Sequence, residues 1–349
     1  MTTQAPSPQA ALEAAFEEFR IADMVSYRRI EDPNTLLGKD GWLTRTKCAL
    51  WFGPAGGGKS SLRTYAAASW AMGKSWFGIT PTKPLKVLIV QAENDLGDES
   101  EMLLGAAQML GVAPEEFDGR IIFVSVTGSS GAAFCALLDK LLDHHKPDLV
   151  FVDPLFSFAG EDLSLQRNAT EFLRTFLDPV LKRHSVACIM LHHTGKPPRG
   201  KTDRDALDHS STYFGSIELE AFPRAVMCLQ KLEDGSFKMS ALKRGKRAGL
   251  LDLEGNVVEA VYLQHSQVGI GWEQVHGPVE GESGVAAGRK DRLEEYVDNR
   301  ILYAPKSREL EAPSREKIME KMGVCKRSVQ IYEARFKVLS KKVKKFPFN

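Results

Sequence analysis

The chain has 349 residues, is 43% hydrophobic and 26% charged, and carries a formal net charge of +1. That length admits one large domain with a smaller one beside it. No apolar run approaches the roughly 18 residues of a membrane span, the opening MTTQAPSPQA lacks the parts of a signal peptide, and the five cysteines at 48, 135, 188, 228 and 325 have no C-x-x-C spacing, so a cytoplasmic protein without membrane contact, disulfides or structural zinc is expected.

The near-neutral total conceals a split. Residues 281–349 hold 17 Lys/Arg against 10 Asp/Glu, a net +7 that leaves −6 on the first 280. A basic end of this kind suits an anionic partner or a merely solvated face.

In chain order, an amphipathic stretch at 10–25 and a turn at Asp32-Pro33-Asn34 precede a βαβα pattern. Strands are predicted at 48–52, 86–90, 121–126, 149–152 and 186–191, with helices at 58–72, 97–110, 131–144 and 167–183 between them. The strands are apolar almost throughout, which implies a mostly parallel sheet covered on both faces. Segments 225–229 and 236–241 flank Glu233-Asp234-Gly235 and read as a hairpin, while 257–263 and 268–274 are expected to extend the sheet or pack beside it. The Gly-rich stretch 277–288 reads as a linker to a unit at 289–349.

The run Gly53-Pro54-Ala55-Gly56-Gly57-Gly58-Lys59-Ser60 fits G-x-x-x-x-G-K-[ST], placed between a strand and a helix as phosphate binding requires. Backbone N–H groups through Ser61 would surround the phosphates of ATP at a helix N-terminus, Lys59 would reach the β/γ oxygens, and Ser60 would hold Mg²⁺. A flexible turn would explain the glycines but not the Lys-Ser pair that follows them.

Four further residues fall at the ends of three strands, the edge where ligands bind in open α/β folds. Glu93 follows the second strand; if the first and second strands are neighbours, it would stand beside the γ-phosphate and activate water, the alternative being a surface residue capping the next helix. Asp153 ends a buried strand after the phosphate loop, the placement of a Walker B aspartate that orients Mg²⁺. His192 and His193 end the fifth strand, where one of them would sense the γ-phosphate unless the pair is structural. Sequence leaves open which of the two faces the nucleotide.

The loop after them carries Lys196, Arg199, Lys201 and Arg204, either a passage for single-stranded nucleic acid or an exposed linker. Arg224, Arg244 and Arg247 are candidates for an arginine acting on a neighbouring subunit's nucleotide.

Together, Gly53–Ser60, Gln91-Ala92-Glu93, Asp148 through Asp153-Pro154-Leu155, Leu191 through Lys196, and Tyr213 through Ala225 resemble the RepA-like branch of RecA-fold ATPases, hexameric replicative helicases of plasmids and phages. The resemblance covers about residues 30–275. It implies a RecA-like P-loop core, ATP held between subunits of a homohexamer, Glu93 as the catalytic glutamate and Arg224 as the arginine finger. Ser210 through Phe214 and Pro223 depart from the family pattern, which leaves Arg244 or Arg247 as the alternative finger.

The divisions expected are therefore an N-terminal helical segment (1–29), an ATPase domain (30–276), the linker, and a small helical unit (289–349). In the last, Ser314–Met322, Gly323 and a basic helix from Ser328 form the parts of a helix-turn-helix or winged helix. Lys326, Arg327, Arg335 and Lys337 would contact DNA phosphates, or the unit would dock a primase or loader. The leading expectation is an ATP-dependent DNA helicase or translocase on single-stranded or forked DNA in replication. A DNA-associated RecA-fold ATPase that remodels or scaffolds a nucleoprotein complex without unwinding is the alternative, and a P-loop small-molecule kinase a lesser one.

Overall fold

The computed structural model describes residues 18–194, 216–232, 234–267 and 269–278. The chain divides into two units, Met1–Gly277 and Pro278–Asn349. The predicted C-terminal helices, with Lys326, Arg327, Arg335 and Lys337, lie outside the described residues, as do Lys196, Arg199, Lys201, Arg204 and the segment Tyr213–Gly215. Among the described residues no helix is long and apolar enough to cross a membrane.

In chain order come helix α1 (Ile21–Ser26), a two-strand ribbon of β1 (Thr35–Leu37) and β2 (Leu43–Thr44), then β3 (Cys48–Gly53) and α2 (Lys59–Ala71). Next are β4 (Val87–Gln91), α3 (Leu96–Leu110), β5 (Ile121–Ser125), α4 (Gly131–His145), β6 (Leu149–Asp153), α5 (Leu155–Ala159) and α6 (Gln166–Thr170). Helix α7 (Asp178–His184) leads to β7 (Ala187–His193), followed by α8 (Ile217–Ala221), β8 (Ala225–Lys231), β9 (Phe237–Lys243), α9 (Gly245–Ala248), β10 (Ala260–His265) and β11 (Trp272–Val275).

Nine of these strands form one sheet in the order β11-β10-β9-β8-β3-β7-β6-β4-β5. The six from β8 to β5 run parallel, and β9, β10 and β11 add antiparallel at one side. This is an α/β fold with a mostly parallel central sheet, and the segments past residue 257 do extend that sheet.

Every residue of β3, β4 and β6 is buried, because helices cover both faces. Strand alternation sends Ala49 and Trp51 to a core shared with Leu62, Ala66 and Trp70 of α2, and Leu50 and Phe52 to a second core with Phe134 and Leu138 of α4. Small side chains on α2 let it approach the sheet closely, and Trp51 stacks on Trp76 with ring centroids 5.0 Å apart. Helix α3 starts at a reciprocal cap in which the Asp98 N–H donates to Asp95 and the Asp95 N–H to Asp98.

Two expectations need correction. The helix predicted over 167–183 is not a single α-helix: residues Glu171–Leu177 widen to a π-helical stretch between α6 and α7. Pro179, which has no N–H, sits just past that stretch and cannot donate to the preceding turn. More consequentially, β3 and β4 are not neighbours, since β7 and β6 lie between them. The adjacency on which the sequence-based placement of Glu93 was conditional therefore does not hold. What brings Glu93 toward the phosphate loop is that β3, β7, β6 and β4 are parallel and end at one edge.

Candidate active site

The loop Gly53–Gly58 joins β3 to α2 at that edge. Gly53 is required by packing: a Cβ there would lie 2.4 Å from the Leu229 carbonyl oxygen of β8. Gly58 takes φ +78 at the N-terminus of α2, with no side chain capping the helix, so the first-turn N–H groups of Lys59, Ser60 and Ser61 are left for an anion. Ala55 and Gly56 are exposed and Pro54 is half-buried, an open cradle whose donors fit a polyphosphate.

Lys59 is 5% exposed and reaches back over the loop. Its ammonium donates to the carbonyls of Gly53 (2.9 Å) and Pro54 (2.8 Å) and to His193 Nδ1 (2.9 Å). Burial pulls its pKa down to about 8, against the opposing pull of Asp153 and Glu93. A lysine so held is placed to exchange two neutral carbonyls for the oxygens of an entering anion.

The strand's alternation resolves the histidine pair. His193 lies on the α2 face, with Nδ1 on Lys59 and Nε2 3.6 Å from a Glu93 carboxylate oxygen. Burial first, then the charge of Lys59, lowers its pKa. In the neutral ring Nδ1 accepts from the ammonium, so the proton sits on Nε2 and faces Glu93. The imidazole thus bridges the phosphate-loop lysine and the candidate water-activating carboxylate.

His192 points to the opposite face. Its Nδ1 is buried without a hydrogen-bond partner, and burial depresses its pKa to about 4. It does not join the cluster, so its expected catalytic part has no geometric support. Glu93 itself remains half-exposed, its side chain 49% accessible, and its N–H donates to Gln91 Oε1 at 2.9 Å.

Asp153 ends β6 at the same edge and is 4% exposed. One of its oxygens accepts from Arg63 at 3.0 Å. Its second oxygen and the half-buried Ser60 hydroxyl are the oxygen donors that would hold a hard divalent cation such as Mg²⁺, which prefers such ligands with water completing its shell.

Ser61 turns away from that edge. Its hydroxyl donates to the Gly58 carbonyl (2.9 Å) and accepts from the indole N–H of Trp272 (3.0 Å). Trp272 of β11 therefore packs on the phosphate loop with His265, whose ring centroid is 4.2 Å away.

The arginines lie elsewhere. The Arg224 N–H donates to the Cys48 carbonyl at 2.7 Å, at the start of β3. Gly53 is at the other end of that strand, roughly 17 Å away at ~3.3 Å per residue. Arg244 follows β9, whose end pairs with the start of β8, and Arg247 is on the adjoining α9. Burial and then the charges of Arg29 and Arg247 lower the pKa of Arg224. Burial and then Arg224, Arg247 and Arg29 bring Arg244 down to about 10. Arg224 Nε and Arg244 Nη1 are buried without hydrogen-bond partners. None of the three candidate fingers reaches the phosphate loop of its own chain.

The residues that sequence reading missed are Arg63, Glu99, Trp272, His265 and Arg29. For Arg63 there was a signal: a charged residue one turn after Lys59 on an otherwise small and apolar helix. For Trp272 there was none, since its partner Ser61 lies far away in sequence.

A family model described as an AAA domain matches residues 14–199, more than half of the chain. No curated protein matches significantly. Solved structures with similarity include that of the RadB recombinase, 18% identical, with 65% of this chain and 90% of that chain covered at a TM-score of 0.45. A KaiC-like protein from the hyperthermophilic archaeon Pyrococcus horikoshii is 14% identical, with 70% and 96% covered at a TM-score of 0.44. The match to the AAA domain runs through the phosphate loop, Glu93, Asp153 and both histidines, and the chain belongs to that family of P-loop ATPases.

Proposed function

We propose that the protein is an ATP-hydrolysing motor that works as a homo-oligomeric ring, a hexameric DNA helicase or translocase, with each nucleotide held between two subunits. The observation that carries this reading is the position of the arginines. Arg224, Arg244 and Arg247 gather with Arg29 at the sheet edge opposite the phosphate loop. Four mutually repelling guanidiniums, two with buried nitrogens lacking hydrogen-bond partners, suit an anion brought by another copy.

Within one site Lys59 and the loop N–H groups bind and orient the triphosphate. Glu93 accepts a proton from the attacking water, and His193 carries the change in phosphate charge from Lys59 to Glu93. Ser60 and Asp153 would hold Mg²⁺, which when bound would offset the negative charge of the phosphates. Arg224 of one subunit, or Arg244 or Arg247 in its place, stabilises the charge on the phosphoryl group in the next. The basic residues Lys196, Arg199, Lys201 and Arg204 are proposed to face single-stranded or forked DNA.

A mixing experiment tests the shared site. Lys59→Ala and Arg224→Ala variants are each expected to lose ATP turnover. Combined, they restore part of it, because an Arg224→Ala subunit keeps a sound phosphate loop and borrows the arginine of its Lys59→Ala neighbour. No recovery with any of the three arginines, or a monomer by mass with and without nucleotide, would overturn the ring. Strand displacement on a forked substrate by wild type, lost in Glu93→Gln, separates unwinding from remodelling.

A further inference from the structure

We propose that Arg63 is a positioning residue of this site, orienting the Asp153 carboxylate and, through Glu99, Asn94 and Gln91, setting the loop that carries Glu93. The inference rests on the reading of the phosphate loop, Asp153 and Glu93 given above.

Arg63 stands one turn beyond Lys59 on α2, and its side chain is 0% exposed. A guanidinium removed from water has to be matched by carboxylates. Nη1 donates to Asp153 at 3.0 Å, and Nη2 donates to both Glu99 oxygens at 2.6 and 2.8 Å and to the Thr64 hydroxyl at 3.1 Å. Glu99, 6% exposed, sits in the first turn of α3. There it accepts from the Asn94 side-chain amide at 2.9 Å. The Asn94 carbonyl accepts from Gln91 Nε2 at 2.8 Å, and Gln91 Oε1 accepts the N–H groups of Glu93 (2.9 Å) and Asn94 (2.8 Å). An unbroken run of hydrogen bonds therefore leads from Asp153 through Arg63 to the peptide of Glu93.

One consequence follows from the chemistry. With one oxygen fixed by Arg63, the plane of the Asp153 carboxylate is set and its other oxygen is presented to the candidate cation position. Stability alone is a poor account of the arrangement, because a buried ion pair is often no more stabilising than apolar residues filling the same space. Its three members lie on the helix of the phosphate loop, the strand of the metal-orienting carboxylate and the helix following Glu93. A movement at the start of α2 when phosphate enters would reach Glu93 along this route.

The test uses the full chain with Arg63→Lys and Asn94→Ala. Arg63→Lys keeps the charge but cannot span two carboxylates in a planar fork. Asn94→Ala leaves the buried pair intact and cuts its link to the Glu93 loop. ATP binding is measured in EDTA and across a Mg²⁺ titration, with kcat and KM for hydrolysis and thermal melting as the check on folding.

Arg63→Lys is expected to bind ATP in EDTA as wild type does while the Mg²⁺ midpoint moves up roughly tenfold or more, the usual effect of losing an outer partner of a metal site. Asn94→Ala is expected to keep the midpoint and KM and to lose roughly tenfold in kcat. A folded Arg63→Lys variant with the wild-type midpoint, or an Asn94→Ala variant with the wild-type kcat, overturns the proposal. If Arg63→Lys does not fold, the Asn94→Ala result decides by itself. Wild type without Mg²⁺-dependent ATP binding would refute the reading of the site, a different outcome from variants that bind and turn over normally.

Discussion

Substituting Gly58 by alanine probes a contact between the phosphate loop and the edge strand β11. A Cβ at this position would lie 2.6 Å from Trp272 Cζ2 and 2.9 Å from His265 Cε1, at a backbone φ of +78. The left-handed conformation costs an L-residue roughly 1–2 kcal/mol. Trp272 cannot yield cheaply, being 0% exposed and tied to Ser61 through its indole N–H. Inserting a methyl against such a wall adds about 1–3 kcal/mol, so Gly58→Ala should destabilise the protein by roughly 2–5 kcal/mol and weaken ATP binding with it. Trp272→Phe removes the clashing ring edge. In a double-mutant cycle by denaturant unfolding and ATP calorimetry, the pair should be less damaging than the sum of its members by roughly 1–2 kcal/mol. Effects that add to within about 0.5 kcal/mol would mean that Trp272 does not press on the phosphate loop, and the packing argument would be wrong.

Further outcomes concern the charged groups. Because burial brings the Lys59 pKa down to about 8 and phosphate binding favours its charged form, ATP affinity should fall by up to roughly tenfold for each pH unit above that value. Lys59→Arg should abolish this slope, and calorimetry in two buffers of different ionisation heat would count the proton taken up. His193→Gln is expected to lower kcat by roughly tenfold or more with ATP affinity kept, whereas His192→Gln should leave kcat near wild type; the reverse ranking in steady-state assays would contradict the geometry. Asp148 is pushed up by burial but pulled lower overall by hydrogen bonds from Lys83, the Lys86 N–H and Arg45. Its contribution is therefore present above the ordinary carboxylate pKa and lost as pH falls through the lowered value. Asp148→Asn should cost about 1–3 kcal/mol near neutral pH and flatten that acid-side loss in unfolding curves.

The phosphate loop, the parallel strands and the strand-final Asp153 were legible in the chain because each rests on short-range spacing. A glycine run can only cradle phosphate between a strand and a helix, and near-continuous apolar segments can only be buried on two faces. That β3 and β4 stand apart was not legible, since strand order depends on which crossover passes over which, and adjacency in sequence was a poor guide to it. Likewise two consecutive histidines on a strand must face opposite ways, yet which one meets Lys59 depends on the face that α2 covers.

The sequence by itself determined the residue types at the nucleotide edge and the direction in which the strands deliver them. Only the tertiary structure decided their partners: Arg63 between Asp153 and Glu99, His193 between Lys59 and Glu93, Trp272 against Gly58, and the arginines at the far edge. The reason is physical. Backbone propensity and apolar periodicity act over a few residues and survive in the linear chain. The matching of a buried charge to its counter-charge is set by burial between elements far apart in sequence, and exists only once the sheet has assembled.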